Sequence, residues 1–240
     1  MKLKLKHLVF FIALLGISAW GPFTSPFSFS TITASENNPD SREWVAEELR
    51  VINPQAGNLN PDVLKLSLNA YIKARHQGLD EKQLLTIIDY SKPSTERRLW
   101  VVDLKRGKIL FNTWVSHGKN SGNINATSFS NQPGSLKSSI GVFLTEATYM
   151  GGNGYSLRLS GLEHGINDNA LRRDIVMHGA WYVNPNVIEK YGQIGRSWGC
   201  PAVSPSLAQP LIDTIKNKTL VVVYYPDQNW LNKSTYLATG

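Results

Sequence analysis

The sequence predicts an α+β fold, a short helical N-terminal segment followed by a mostly-β domain. Between residues 40 and 78 apolar residues recur at the three-to-four spacing of amphipathic helices. From Leu84 onward, runs of Leu, Ile, Val and aromatic residues are separated by Gly, Pro and Asn clusters, which is the pattern of short strands. The chain has 240 residues, 42% of them apolar, enough to bury a core without disulfide staples. Charged residues make up only 18% and aromatics 10%, which excludes a disordered chain.

Residues 1–34 read as a signal peptide or N-terminal anchor. Lys2, Lys4 and Lys6 precede an apolar run from Leu8 to Ala19, the layout of an export signal. The run is short for a membrane helix, which needs about 20 residues. Small and aromatic residues prolong it toward Phe29, so membrane anchoring through the N-terminus is the alternative to cleavage after Ala34. Residues 35–89 form the helical segment. Asp40 is a candidate cap with Glu43 three residues on, and Val45, Leu49 and Ile52 make one stripe. Pro54 and Gly57 end that helix. Asn60-Pro61 starts a second, with Leu64, Leu68 and Tyr71 on its apolar face and Gly78 as its stop.

The mostly-β domain is assigned to residues 90–228, with a C-terminal tail over 229–240. The first strand signal, 84–90, leads into it, and 99–103 and 108–116 follow, the last two joined by a turn containing Gly107. Residues 117–139 are a long polar stretch, of a length that usually carries function. Strands return at 141–145, 155–159, 175–178 and 220–225, with a helix at 206–216. No internal repeat is present.

The composition narrows the chemistry. Cys200 is the one cysteine, which excludes internal disulfides, thiol-rich metal sites and CxxC redox pairs. The formal charge is +7; without the three leader lysines it is 22 basic against 18 acidic, or +4. The charges form no long basic run, and no nucleic-acid binding is expected. A lone thiol in an exported chain calls for a chemical role. Cys200 lies between Gly199 and Pro201, a way to hold a thiol in a fixed and accessible place. His178 ends the apolar run Ile175-Val176-Met177 and is followed by Gly179, which puts an imidazole at a sheet rim. A thiol and an imidazole together make a nucleophile and its base. Arg196 is placed to add positive field near the thiol. His117 and His164 read as loop histidines, and no metal site is expected from them. Tyr155 and Trp181 are candidates to line a groove, with a core position as the alternative.

These residues resemble the L,D-transpeptidase (YkuD-like) family of cell-wall enzymes, in its branch of murein L,D-transpeptidase catalytic domain proteins. The shared signature is a strand ending in His178-Gly179, then Ser197-Trp198-Gly199-Cys200, with 22 positions from His178 to Cys200. Leu99–Leu104 with Gly107 is similar to the family's opening hairpin, and Ser138-Ser139-Ile140-Gly141-Val142-Phe143 to its Thr-Pro-x-Gly-x-Phe element. The resemblance covers residues of about 90 to 226. It implies a mostly-β L,D-transpeptidase-like catalytic domain. Cys200 is then the nucleophile, His178 the general base, and the backbone N–H groups of Gly199 and Cys200 the oxyanion site. Ser197 holds the loop or assists the imidazole. The implied substrate is a peptidoglycan stem tetrapeptide: Cys200 attacks the carbonyl of the third residue, D-Ala leaves, and an amine of a second stem accepts the acyl group in a 3→3 cross-link. Transfer to water gives L,D-carboxypeptidase activity instead. A non-catalytic wall-binding module is the rival of another class. No cofactor is implied, and the location is the bacterial cell envelope.

Two positions depart from the family pattern. Ala202 stands where many members have Arg or Asn, and Trp198 where His or Lys is common. A substrate carboxylate then needs another partner, for which Arg196 and Arg158 are the candidates. Trp198, Gly179 and Tyr155 complete the expected substrate-binding set.

Overall fold

The computed structural model describes residues 42–237. The leader over residues 1–34 and the Asp40 cap lie outside the described residues. Helix α1 (Arg42–Ile52) and helix α2 (Pro61–His76) pack on one another. The Asn60 side chain caps α2, accepting from the Asp62 N–H at 2.8 Å, and Pro61 occupies the first turn where no N–H is missed. Val45, Ile52, Leu64, Leu68 and Tyr71 are buried. They share one hydrophobic core with the strands, so the helical segment is part of the same packed body.

Eight strands form one sheet among the described residues: β1 (Leu84–Asp89), β2 (Leu99–Asp103), β3 (Lys108–Thr113), β4 (Gly141–Gly151), β5 (Gly154–Gly161), β6 (Val176–Gly179), β7 (Ala202–Val203) and β8 (Leu220–Tyr224). Their order is β3-β2-β1-β8-β4-β5-β6-β7. β1 pairs in parallel with β8, and β6 with β7; the other neighbours are antiparallel. β1, β2 and most of β8 are buried along their length, which matches their unbroken apolar sequences. Beyond β3 the chain turns back across the far edge. Ser116 N–H donates to Ala202 C=O at 2.8 Å, and Gly118 bridges Ser197 in parallel. The two edges of the sheet therefore meet through residues 116–119 and 197–202, and the sheet curls toward a barrel.

Three further α-helices lie among the described residues: α3 (Pro185–Tyr191), α4 (Pro205–Ile215) and α5 (Gln228–Lys233). α4 lies against β6 and β5. The described part of the stretch assigned as a C-terminal tail, residues 229–237, packs on the domain. α5 buries Trp230, whose indole N–H donates to Glu163 Oε2 at 3.0 Å, and Ser234 donates to the same carboxylate. Glu163 also accepts the Val142 N–H at 2.7 Å. One buried carboxylate thus ties Trp230 and Ser234 to the start of β4.

Candidate active site

The imidazole comes from β6 and the thiol from the turn that leads into β7. β6 and β7 are parallel, with His178 opposite Ala202. Cys200 lies two residues before that pair, beside the start of β6, and residues two apart share a strand face. The thiol does not bond to the imidazole. Its S–H donates to the Asp174 carbonyl at 3.4 Å, and the Val176 N–H reaches the sulfur from the same strand entry. Asp174 makes this possible by adopting φ +52, a left-handed conformation that Asp tolerates better than most residues.

The loop carrying the thiol is built from inside. Ser197 Oγ donates to the Cys200 carbonyl at 2.6 Å and accepts the Gly199 N–H at 3.1 Å. Gly199 has φ +128, and a Cβ there would stand 2.8 Å from the Lys137 carbonyl. No side chain fits that turn. Ser197 is itself fixed by its N–H to the His117 carbonyl, 2.9 Å. Ser138 Oγ bridges the Gly118 N–H and the Gly199 carbonyl, at 2.9 and 3.1 Å. The Gly199 N–H is therefore already satisfied by Ser197 and is not free for an oxyanion. Both bonds of the Ser197 hydroxyl stay within the turn.

Electrostatics set the resting state. Burial pushes the Cys200 thiol up, against the lowering effects of the Val176 N–H and the Arg173 guanidinium. The sulfur is thus protonated near neutral pH and needs a base. Burial pushes His178 down, so its ring is neutral. Its Nδ1 lies 2.9 Å from the Gly179 carbonyl. A carbonyl only accepts, so Nδ1 carries the hydrogen and Nε2 is left as the basic nitrogen.

The other expected residues fall in several places. Arg196 does not face the thiol: its guanidinium donates to the Gly122 carbonyl at 3.0 Å and Asn123 Oδ1 at 2.7 Å. Arg158 is exposed on β5 and stacks on the Tyr149 ring at 4.3 Å. Neither contacts Cys200. Tyr155 is anchored to α4 through its phenol, which donates to Asp213 Oδ1 at 2.7 Å. Gly179 serves packing too, since a Cβ there would meet Ala208 Cβ at 3.0 Å on α4. Trp198 and Trp181 are exposed, each at 74%, Trp198 beside the thiol loop. His117 is not a solvated loop residue. It is fully buried, with Arg98 Nη2 donating to its Nδ1 at 2.8 Å, and burial with that cation lowers its pKa to about 4.

Two residues near the thiol escaped the sequence reading. Arg173 donates to the Ser130 carbonyl, Ser139 Oγ, Ser135 Oγ at 3.0 Å and the Lys137 carbonyl at 2.6 Å, pinning the polar 130–139 stretch beside the sulfur. The available signal was its place just before the strand that carries His178. Tyr182 is half-buried, its phenol at the Ser116 hydroxyl and within electrostatic reach of Cys200. Gly195 packs flat against that ring, where a Cβ would be 2.6 Å away.

Among solved structures, the chain is similar to an L,D-transpeptidase from Mycobacterium smegmatis at 16% identity, covering 60% of this chain and 59% of that one, TM-score 0.37. It is also similar to L,D-transpeptidase 1 of Mycobacterium tuberculosis at 14% identity, covering 60% and 62%, TM-score 0.34. An L,D-transpeptidase from Stackebrandtia nassauensis matches at 18% identity over 78% and 80%, TM-score 0.35. The chain spans less than two thirds of the length of the first two. No curated protein matches the chain significantly. The profile of the L,D-transpeptidase catalytic domain matches residues 55–224, more than two thirds of the sequence. On that match the chain belongs to the L,D-transpeptidase catalytic domain family.

Proposed function

We propose that this chain is a peptidoglycan L,D-transpeptidase that works by cysteine acyl transfer in the cell envelope. The observation supporting it most is the closed Ser197–Cys200 turn, which sets the thiol beside the strand bearing a neutral His178. Arg173 adds the cation that favours the thiolate. In the reaction the sulfur swings from the Asp174 carbonyl toward His178. Nε2 takes the thiol proton as sulfur bonds to the carbonyl carbon of the third stem residue. The tetrahedral oxygen is left facing the Cys200 N–H, since the Gly199 N–H is occupied. The intermediate collapses, the C–N bond breaks, and the imidazolium gives its proton to the departing D-Ala amine. An amine of a second stem then attacks the thioester and gives a proton to His178 Nε2, the C–S bond breaks as the 3→3 amide forms, and the sulfur takes that proton back to restore the resting thiol. Water in place of that amine gives the L,D-carboxypeptidase outcome.

The thiol's bond to the Asp174 carbonyl, rather than to His178, favours one other reading, a wall-binding module with the site at rest. A carbapenem separates the two. Acyl transfer predicts one covalent adduct by mass spectrometry, absent in Cys200→Ala, and muropeptides that gain 3→3 links or lose D-Ala. Folded protein that forms no adduct and leaves muropeptides unchanged overturns the enzymatic reading.

A further inference from the structure

Three cations flank the thiol loop through contacts, Arg173, Lys137 and Lys119, and a fourth, Arg196, adjoins it in sequence with its guanidinium turned toward residues 119–123. The Arg173 guanidinium acts on the Cys200 thiol electrostatically and holds the Lys137 carbonyl. That carbonyl is the group against which Gly199 packs. Lys119 donates its N–H to the Ser197 carbonyl at 2.8 Å and lays its ammonium over the Trp198 ring at 5.7 Å. Arg196 directly precedes Ser197. Among the described residues none of the four has a carboxylate partner. Arg173 and Arg196 are bonded to carbonyls, hydroxyls and an amide, and the Lys137 ammonium donates to Ser128 Oγ at 2.6 Å.

Elsewhere on the described surface some cations pair with acids, as in Asp103–Arg106, Asp213–Lys216 and Glu81–Lys218, and others lie over aromatic rings, as Arg97 does over Trp114 and Arg158 over Tyr149. The framing stretch from Trp114 to Ile140 contains Lys119 and Lys137 and not one acid. On the facing segments, Asp168 is engaged by His164 and Asn131, and Asp213 by Lys216 and Tyr155. Glu189 lies exposed on α3. Asp174, at the entry to β6, is the acid that acts on the thiol. An unpaired cationic rim creates a field that a partly desolvated site concentrates.

We infer that the rim selects an anionic donor: a stem peptide with its side-chain carboxylates free, in preference to the same stem with those carboxylates amidated. The inference rests on the peptidoglycan reading above and extends it to the chemistry of the donor. Guanidinium and ammonium groups hold a carboxylate by charge and hydrogen bonds, whereas an amide offers no charge and brings competing N–H donors.

The test compares two synthetic stem tetrapeptides, identical except that the side-chain carboxylates are free or amidated. D-Ala release gives kcat/KM for each. Calorimetric binding to Cys200→Ala protein gives Kd without turnover. The free acid is expected to be favoured by about tenfold at low ionic strength. That preference shrinks toward unity in roughly 0.5 M salt. In the double variant Lys119→Gln, Lys137→Gln the ratio is expected to fall by roughly threefold for each cation removed. The ratio is read within each protein, so a general loss of folded enzyme lowers both donors alike and leaves it unchanged. Equal kcat/KM and equal Kd for the two donors overturn the inference while leaving the transpeptidase reading intact. No D-Ala release from either donor, with a preserved difference in Kd, overturns the reaction but not the rim. Absence of both binding and release overturns both.

Discussion

Gly199 and Arg173 act on the thiol in different ways, one through backbone shape and one through charge. Gly199 occupies φ +128 with the Lys137 carbonyl over its Cα, so a methyl there meets both backbone strain and a close oxygen. Gly199→Ala is expected to cost about 1–3 kcal/mol of stability and to abolish carbapenem acylation, read by urea unfolding and by mass spectrometry. Wild-type acylation in that variant would show that the turn has no part in placing the sulfur. Arg173→Met removes a cation that favours the thiolate, so the thiol should titrate at higher pH than in the wild type. Alkylation by iodoacetamide at pH 7 is then expected to slow by roughly three- to tenfold, with Arg173→Lys intermediate. A rate profile that keeps its midpoint while the fold loosens would assign Arg173 to loop tethering alone.

The elements divide into those whose pattern is local and those whose pattern is tertiary. Helix α2 was legible because Asn60, Pro61 and the Leu64–Leu68–Tyr71 stripe all speak for the same turn of chain. Strands β1, β2 and β8 were legible because their burial on both faces leaves an unbroken apolar run. α3 was missed although Asn184-Pro185 and Gly192 bracket it, because it has no fully buried residue and hence no stripe. α5 was missed because one residue, Trp230, carries its burial, and the Glu163 that receives its indole is 67 positions away. That link makes a prediction at the element scale. Trp230→Ala is expected to destabilise by about 3–5 kcal/mol. It vacates a fully buried site and removes the indole donor from Glu163. A cost below about 1 kcal/mol in urea unfolding would mean that α5 is an appendage.

At the scale of the whole molecule, the site was legible as residues and not as contacts. His178-Gly179 and Ser197–Cys200 stand out in one dimension. That Arg173 lies beside the thiol while Arg196 turns away is decided by the path of the 117–139 stretch, whose polar sequence has no period to read. The same distinction governs the response to pH. Glu48 on α1 is buried with Oε2 unpaired, and burial beside Glu47 raises its pKa from 4.5 to about 7. The folded state therefore holds a proton that the unfolded chain has lost, and stability falls as pH rises through about 4.5 to 7. His117 has the opposite sense. Its folded pKa is lowered from 6.5 to about 4, so between those values the unfolded chain binds the extra proton and stability rises with pH. Buried Glu163 is shifted in the same direction as Glu48, and buried His178 in the same direction as His117. The two classes oppose one another across a common window, so the wild-type Tm is expected to vary little between pH 4.5 and 6.5. Glu48→Gln removes a falling contribution and should leave a Tm that climbs with pH by a few degrees over that range. His117→Gln removes a rising one, and its Tm, lower throughout because the buried Arg98 loses the imidazole from among its acceptors, should decline with pH instead. Scanning calorimetry of the three proteins at matched ionic strength reads these slopes directly. Identical slopes in all three would show that neither buried group is shifted in the sense given by its surroundings.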